Sequence, residues 1–128
     1  NIKIRKKNLE FQNKFFSHYP DIFHTPVEHS GADTAWLAYP IMISEHAPFS
    51  RREFQIYLEE RDIQTRVVFT GNILRQPMCK DIKNVNASDF PNSDNVMKRG
   101  VLLPVHHGMT DEMFSRLHET IDNFIGQF

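Results

Sequence analysis

The sequence contains one cysteine, Cys79, so it can form no internal disulfide, and the expected location is a reducing compartment such as the cytoplasm. No apolar run approaches the roughly 20 residues that a bilayer-spanning helix needs, which argues against a membrane segment. The 15 basic and 16 acidic residues almost cancel. The chain therefore lacks the strongly positive surface of a nucleic-acid-binding protein, and we expect no nucleic-acid partner.

The spacing of the metal-binding residue types also excludes a common class of site. No His-x-x-x-His or Cys-x-x-Cys pattern occurs, and His106 and His107 are adjacent. Neighbouring side chains on an extended chain point to opposite faces, so two such imidazoles seldom reach one ion. We predict no metal site. His106 is better interpreted as a loop residue that faces a ligand or an interface, and Cys79 as an inert, partly buried thiol.

The length and the aromatic content of the sequence predict one domain with a substantial core. The 128 residues include 11 Phe, 3 Tyr and 1 Trp. Residues 1–18 lack Gly and Pro and place Ile4, Phe11 and Phe15 on a broad face of a predicted helix.

Three further helices are predicted from their N-terminal signals. Ser50 and Glu53 form a capping-box pattern before a helix that runs to about Arg61. Asn92 begins a short helix that Gly100 can end. Thr110 begins the last helix, whose predicted core stripe is Met113, Phe114, Leu117, Ile121, Phe124 and Ile125.

Three apolar segments predict strands, at residues 35–43, 63–69 and 101–105. Pro40 indicates an edge strand or a bulge, and Pro104 an edge or a strand end. Residues 20–34 and 70–90 are predicted loops, and the length of the second indicates a functional role. The order of elements predicts an α/β fold with a small three-stranded sheet covered by helices.

A candidate binding site lies at the end of the second predicted strand and in the loop that follows it. Its residues are Arg66, Asn72, Arg75 and Gln76, and Gly71 allows a tight turn there. Guanidinium groups bind phosphate through paired hydrogen bonds, and amides both donate to and accept from sugar hydroxyls. The alternative is a loop held together by its own polar groups, for example through pairing of Arg75 with Asp81 or Asp89. The spacing favours neither hypothesis.

Residues 65–77, TRVVFTGNILRQP, carry a resemblance to a known family. The string resembles the signature of the nucleotide-sugar 3-dehydrases in the DegT/StrS family of pyridoxal-phosphate (PLP) dependent sugar aminotransferases. The segments APFSR at 47–51, NSDNVM at 92–97 and GMTDEM at 108–113 are similar to further family motifs. Residues 103–108, LPVHHG, are instead closer to the pattern of the ordinary sugar aminotransferases.

The resemblance implies the C-terminal small domain of an aspartate-aminotransferase-type (fold-type-I PLP) enzyme. Residues 1–128 would form that single domain, and residues 1–18 the end of the helix that joins it to a large domain. PLP or its amine form, PMP, and the lysine or histidine beside it would lie on the large domain. This chain would then contribute no catalytic or cofactor-binding residue and would be inactive alone. It would contribute substrate-binding side chains, namely Arg66, Asn72, Arg75, Gln76 and His106.

The implied reaction is the C3 dehydration of a nucleotide-linked 4-keto-6-deoxyhexose in lipopolysaccharide and O-antigen biosynthesis, carried out by a cytoplasmic homodimer. One alternative is amination at C4 by a sugar aminotransferase. A non-catalytic α/β interaction module is an alternative from a different class.

Overall fold

A computed structural model describes residues 1–128 and confirms a mixed fold of helices around one small sheet. None of the helices combines the length and hydropathy needed to cross a membrane. Three single-turn 3-10 helices lie within the loop 70–90. The main elements, in chain order, are α1 (Ile2–Phe16), β1 (Phe23–His24), β2 (Tyr39–Ile43), α2 (Arg51–Glu59), β3 (Arg66–Val67), α3 (Pro91–Arg99), β4 (Gly100–Leu103) and α4 (Asp111–Ile125).

The sheet is antiparallel and has the strand order β1-β2-β4-β3. Its centre is the β2–β4 pair, in which Tyr39 lies opposite Leu103 and Met42 opposite Gly100. The outer strand β3 places Arg66 opposite Leu102. The end of β4, the start of β2 and the start of β3 therefore lie at the same end of the sheet.

The sheet has four strands, so the prediction of three was wrong. The additional strand, β1, lies in the segment 20–34 that the sequence predicted as loop. Two residues are too short to show an alternating pattern, and this strand is defined by distant contacts. Phe23 is buried in the core and pairs with Ile43, and the Ser44 N–H donates to the Ile22 carbonyl at 2.7 Å.

The predictions made from the two prolines had different outcomes. Pro40 lies in β2, between two neighbouring strands, and the prediction of an edge position was wrong. Because β1 pairs only with Met42 and Ile43, it ends before it reaches Pro40, and no partner there needs the missing N–H. Pro104 directly follows the last residue of β4, so the prediction of a strand end was correct.

The other two predicted strands are shorter than expected. The first begins at Tyr39 rather than at residue 35, and Leu37 before it is exposed. The second is limited to Arg66–Val67 because turns bound it on both sides. Asp62 and Phe69 have left-handed backbone conformations, with φ of 57° and 44°, which an extended strand does not allow.

The core is rich in aromatic side chains, as the composition predicted. Phe16, Phe23, Tyr39, Phe54 and Phe124 pack with the buried aliphatic residues of β2 and β4. The predicted stripe of α4 is confirmed at its buried members, Phe114, Leu117, Ile121 and Phe124, whereas Met113 is half exposed.

The predicted helix starts of α2 and α4 are also confirmed. The Ser50 hydroxyl accepts from the Glu53 N–H, and the Glu53 carboxylate accepts from the Ser50 N–H at 2.7 Å. The Thr110 hydroxyl accepts from the Met113 N–H at 3.3 Å. Each bond uses a donor that the first helical turn leaves without a partner inside the helix.

Helix α1 packs through two polar residues as well as through its apolar face, where Phe16 joins the core and Phe15 packs against it. Its buried residues are Asn8, Gln12 and Phe16, while Ile4 and Phe11 are about half exposed. The Asn8 amide donates to the His106 carbonyl at 2.9 Å, and the Gln12 amide donates to the Pro104 carbonyl at 3.1 Å. These bonds fix the segment that follows β4.

Candidate functional site

The five predicted site residues separate into two groups. Arg66 and His106 line a cavity of about 420 Å³ at the end of the sheet where β4 ends and β3 begins. Asn72, Arg75 and Gln76 belong to the loop 70–90 and do not line that cavity. Their role in binding a substrate stays a prediction for each of the five.

The cavity combines an apolar interior with exposed charges. Strand β4 contributes Leu102 and Leu103, and helix α4 contributes Met113 and Leu117. The charged lining residues are Asp62, Arg66 and Arg116. A cavity of this size with a few polar groups is typical of a small-molecule site.

The two arginines of the cavity differ in their partners. The Arg116 guanidinium donates to the Arg61 carbonyl at 2.6 Å and lies 3.7 Å from the Asp62 carboxylate. The exposed Arg66 takes part in none of the ion pairs of the chain. Its guanidinium is therefore free to bind an anionic group.

His106 is held in a defined orientation beside the cavity. Its ring Nδ1 accepts from the Gly108 N–H at 3.2 Å, and its carbonyl accepts from the Met109 N–H at 3.2 Å. Because Nδ1 is an acceptor, the neutral ring carries its proton on Nε2. The exposed Nε2–H can then donate to a ligand.

The loop group is organised around a carboxylate that the sequence analysis did not select. The Arg75 guanidinium donates to both carboxylate oxygens of Asp94, through Nε and Nη2, each at 2.5 Å. The Asn72 amide donates to the same carboxylate at 2.8 Å. Hydrogen bonds from Arg75, and then from Asn72, lower the pKa of Asp94 to about 2.

The remaining polar groups of this loop are used within it. Asn72 is 2% exposed, and its amide also donates to the Ala87 carbonyl at 2.9 Å and accepts from the Leu74 N–H at 3.2 Å. The Gln76 amide donates to the Thr70 carbonyl at 3.0 Å. Arg75 therefore does form an ion pair that holds the loop. Its partner is Asp94 on α3, and not Asp81 or Asp89 as the sequence suggested.

Sequence reasoning did not select Asp62, Arg116 or Asp94. Asp94 had two available signals, since it lies in the family-like segment 92–97 and in the first turn of a helix predicted to begin at Asn92. Arg116 lies one turn after Met113 on α4, but only the tertiary contact of that helix with β4 brings both to the cavity.

A partly buried histidine, His118, has a structural position. The His118 ring stacks on Phe15, with 3.9 Å between the ring centroids, and its Nε2 lies 2.8 Å from the Gln12 amide oxygen. Burial lowers the pKa of His118 to about 4, against an opposing attraction from Asp122. The ring is therefore neutral near pH 7 and donates to Gln12.

No three His, Cys, Asp or Glu side chains come together in a way that could hold a metal ion. His106 and His107 are both exposed, and Cys79 is a partly buried free thiol.

Residues 1–122 match the DegT/DnrJ/EryC1/StrS aminotransferase family. Since this match covers almost the whole chain, the chain belongs to that family, as the resemblance of residues 65–77 indicated.

Two curated relatives match most of this chain. It is 32% identical over 123 residues to the dTDP-4-dehydro-2,6-dideoxy-D-glucose 3-dehydratase of Saccharopolyspora spinosa, a match that covers 96% of this chain and 26% of the relative. It is 25% identical over 125 residues to the lipopolysaccharide biosynthesis protein RfbH of Salmonella typhimurium. This match covers 98% of this chain and 29% of the relative. The chain thus spans between a quarter and a third of the length of these relatives.

Solved structures of the family share this fold. The DesV protein of S. venezuelae superposes with a TM-score of 0.81 at 14% identity, covering 96% of this chain and 31% of that protein. The E. coli GDP-4-keto-6-deoxy-D-mannose-3-dehydratase superposes with a TM-score of 0.73 at 18% identity, covering 93% of this chain and 30% of that protein. This chain therefore has the fold of about a third of each of these two proteins.

Proposed function

We propose that this chain is the C-terminal small domain of a PLP/PMP-dependent enzyme that removes the C3 hydroxyl of a nucleotide-linked 4-keto-6-deoxyhexose in lipopolysaccharide or related sugar biosynthesis. The observation that carries the proposal is the similarity over 96% and 98% of the chain to relatives named for 3-dehydration and for lipopolysaccharide synthesis. A large domain of the same protein is the proposed partner, and the cytoplasm is the proposed location.

The residues of this chain do not by themselves fit the cofactor. The cavity contains no lysine to form a Schiff base with the cofactor aldehyde, and the Nδ1 of its single histidine, His106, already accepts from the Gly108 N–H. The E. coli relative was solved with bound hydrated PLP, and this chain corresponds to 30% of its length. We therefore propose that the cofactor is held outside these 128 residues.

The proposed role of this domain is to bind and orient the substrate. Arg66 supplies an uncommitted guanidinium for a phosphate, and His106 supplies an Nε2–H for a sugar oxygen. The apolar part of the cavity excludes water from the contacts that these groups make. Arg75, Asn72 and Gln76 are proposed to shape the neighbouring loop, with the half-exposed Arg75 also able to contact the substrate.

We also propose a homodimer. The half-exposed Ile4 and Phe11 on α1 form an apolar surface suited to burial against the large domain or a second subunit.

A second candidate function is amination at C4. The pattern LPVHHG at residues 103–108 favours it because it is closer to that of the sugar aminotransferases. The sugar aminotransferase CalS13 of Micromonospora echinospora also shares the fold, with a TM-score of 0.76 at 21% identity over 95% of this chain and 30% of its own.

The two candidates differ in the atoms that the sugar gains or loses. The protein that carries this domain, loaded with PMP, would be incubated with dTDP- or GDP-4-keto-6-deoxyhexose and an amino donor, and the sugar product analysed by mass spectrometry and NMR. We expect loss of the C3 oxygen. A 4-amino sugar that keeps the C3 hydroxyl would favour the second candidate, and an unchanged sugar would contradict both.

The proposed role of Arg66 has its own test in the same assay. Arg66→Ala is expected to raise the KM for the nucleotide sugar by an amount equivalent to about 1.5–3 kcal/mol, with little change in Tm. Arg52→Ala, an exposed arginine on α2 outside the cavity, is the matched control.

A further inference from the structure

Phe69 has an unusual exposure for a large aromatic residue. It leaves 84% of its surface in solvent, more than any other aromatic residue of the chain, although it lies only two residues after strand β3. Single exposed apolar side chains are common on protein surfaces, so exposure alone does not indicate function.

The backbone at Phe69 gives an independent observation. Its φ of 44° is in the left-handed region, which residues with a bulky side chain seldom adopt. Two short hydrogen-bonded turns enforce this conformation. The Phe69 N–H donates to the Val67 carbonyl at 2.9 Å, and the Gly71 N–H donates to the Val68 carbonyl at 3.1 Å.

Contacts of the two residues after Phe69, Thr70 and Gly71, support the turn. Gly71 has a φ of 59° and packs so closely on α3 that an added Cβ would lie 2.3 Å from the Met97 Cβ. The Gln76 amide donates to the Thr70 carbonyl. These contacts hold in place a turn whose Phe69 ring is exposed.

A small cleft lies beside the turn and contains groups that bind polar ligands. Its volume is about 190 Å³, and Phe69, Arg51, Gln76 and Met97 are among the residues that line it. One Arg51 nitrogen donates to the Met97 carbonyl at 2.6 Å, and the guanidinium has further donors beyond this bond.

We propose that Phe69 is a substrate-binding residue, whose ring stacks on a flat ring face of the nucleotide sugar. The inference rests on the function proposed above. Phe69 lines a separate cleft from the cavity of Arg66 and His106, so its ring would contact a different part of the elongated nucleotide sugar. Strained backbone persists where the surrounding contacts determine it, and such positions cluster at binding sites. A surface that only packs on another domain requires no left-handed conformation at its aromatic residue.

Two parts of a nucleotide sugar have such a face, the nucleobase and the hexose ring. Stacking on an aromatic side chain tolerates different bases because each has a π-face. The carbon-bound hydrogens on one side of a hexose give a similar apolar face. In both cases a flat ring of the ligand lies on the Phe69 ring. Competition by the nucleoside diphosphate, which has the base but no hexose, distinguishes the two.

The experiment uses the full-length protein and compares Phe69→Ala, Phe69→Gly and Phe69→Tyr. KM and kcat for the nucleotide sugar, the inhibition constant of dTDP or GDP, and Tm are measured for each. Met78→Ala is the matched control, because Met78 is a large apolar residue of the same loop with 83% exposure.

We expect Phe69→Ala and Phe69→Gly to raise KM by about tenfold, while Phe69→Tyr and Met78→Ala leave it within about twofold. A parallel rise in the inhibition constant assigns the stacked ring to the nucleobase, and an unchanged inhibition constant assigns it to the hexose. Phe69→Gly also relieves the left-handed conformation, so its Tm is not expected to fall.

An unchanged KM in Phe69→Ala and Phe69→Gly, in a wild-type protein that turns over its substrate, would overturn this inference and leave the proposed function intact. If Tm also fell in both variants, the ring would be shown to pack against another part of the protein. A wild-type protein that neither binds nor converts any nucleotide sugar would overturn the proposed function and this inference together.

Discussion

The imidazole of His118 lies flat on the ring of Phe15, with 3.9 Å between the centroids and 3° between the planes. This contact joins α1 to α4 and removes much of the imidazole from water. Its Nε2 is directed at the Gln12 amide oxygen, and Gln12 in turn donates to the Pro104 carbonyl. The protonation state of His118 is therefore coupled to the packing of α1 against the segment after β4.

The first prediction concerns the pH dependence of stability. The pKa of His118 is about 4 in the folded chain and near its ordinary value of 6.5 in the unfolded chain. Because the unfolded chain binds this proton more tightly, protonation favours unfolding. The contribution of neutral His118 to the free energy of unfolding is therefore complete above about pH 6.5 and is lost as the pH falls toward 4. Chemical denaturation at pH 7.5, 5.5 and 4.5 should show this loss.

His118→Phe keeps the stack on Phe15 and cannot be protonated, so its stability should change less between pH 7.5 and 4.5. His107→Phe alters an exposed histidine and serves as the control. An equal pH dependence in wild type and His118→Phe would show that other groups cause the acid sensitivity.

The second prediction concerns the aromatic core. Phe54 is fully buried on α2 and contacts the rings of Phe23 and Phe124. Phe54→Ala should lower the free energy of unfolding by about 3–5 kcal/mol, since it removes apolar contacts and leaves a cavity. The free energy of unfolding would be measured by urea titration. Ile56→Ala, at a 42% exposed position of the same helix, should lower it clearly less. Comparable losses would place the core elsewhere.

The third prediction concerns Asn72. Because it is 2% exposed and makes three hydrogen bonds, Asn72→Ala should lower the free energy of unfolding by about 1–3 kcal/mol. Asn92→Ala, at an exposed position in the first turn of α3, is the control. In the full-length protein, a higher KM without this loss of stability would instead support direct substrate binding by Asn72.

The fourth prediction concerns Gly71. Its positive φ and its close approach to Met97 both exclude a larger side chain. Gly71→Ala should therefore destabilise the chain by about 1–3 kcal/mol through strain and overpacking. Gly31→Ala is the comparison, since an added Cβ there meets no atom closer than 3.5 Å. Equal thermal denaturation midpoints in the two variants would contradict the described packing of the turn.

Local signals in the sequence predicted the parts of the structure that depend on local contacts. The Ser50 capping box, the Thr110 cap and the buried stripe that ends at Phe124 involve residues within a few turns of one helix. Strand β1 and the half-exposed Met113 were not predictable in this way. The first has two residues and exists through its pairing with β2, and the second depends on where α4 meets β4.

The candidate site was predictable to a similar extent. The sequence placed Gly71 correctly in the turn that follows a strand, but Arg66, expected at the end of that strand, is its first residue. It could not show that Arg75 pairs with Asp94, 19 positions further along, because that contact requires α3 to fold back on the loop. The unusual backbone of Phe69 also had no sequence signal, since phenylalanine is not a residue that favours a left-handed conformation.

The order of the strands has a consequence for how the chain folds during synthesis. Strand β3 pairs only with β4, and β4 is the last strand to be made. Until Leu103 has left the ribosome, β3 has no partner, and β2 can pair only with the short β1. Loop-closure entropy makes such distant pairings slow. The nascent domain must therefore keep the apolar residues of β2 exposed until most of its length has emerged.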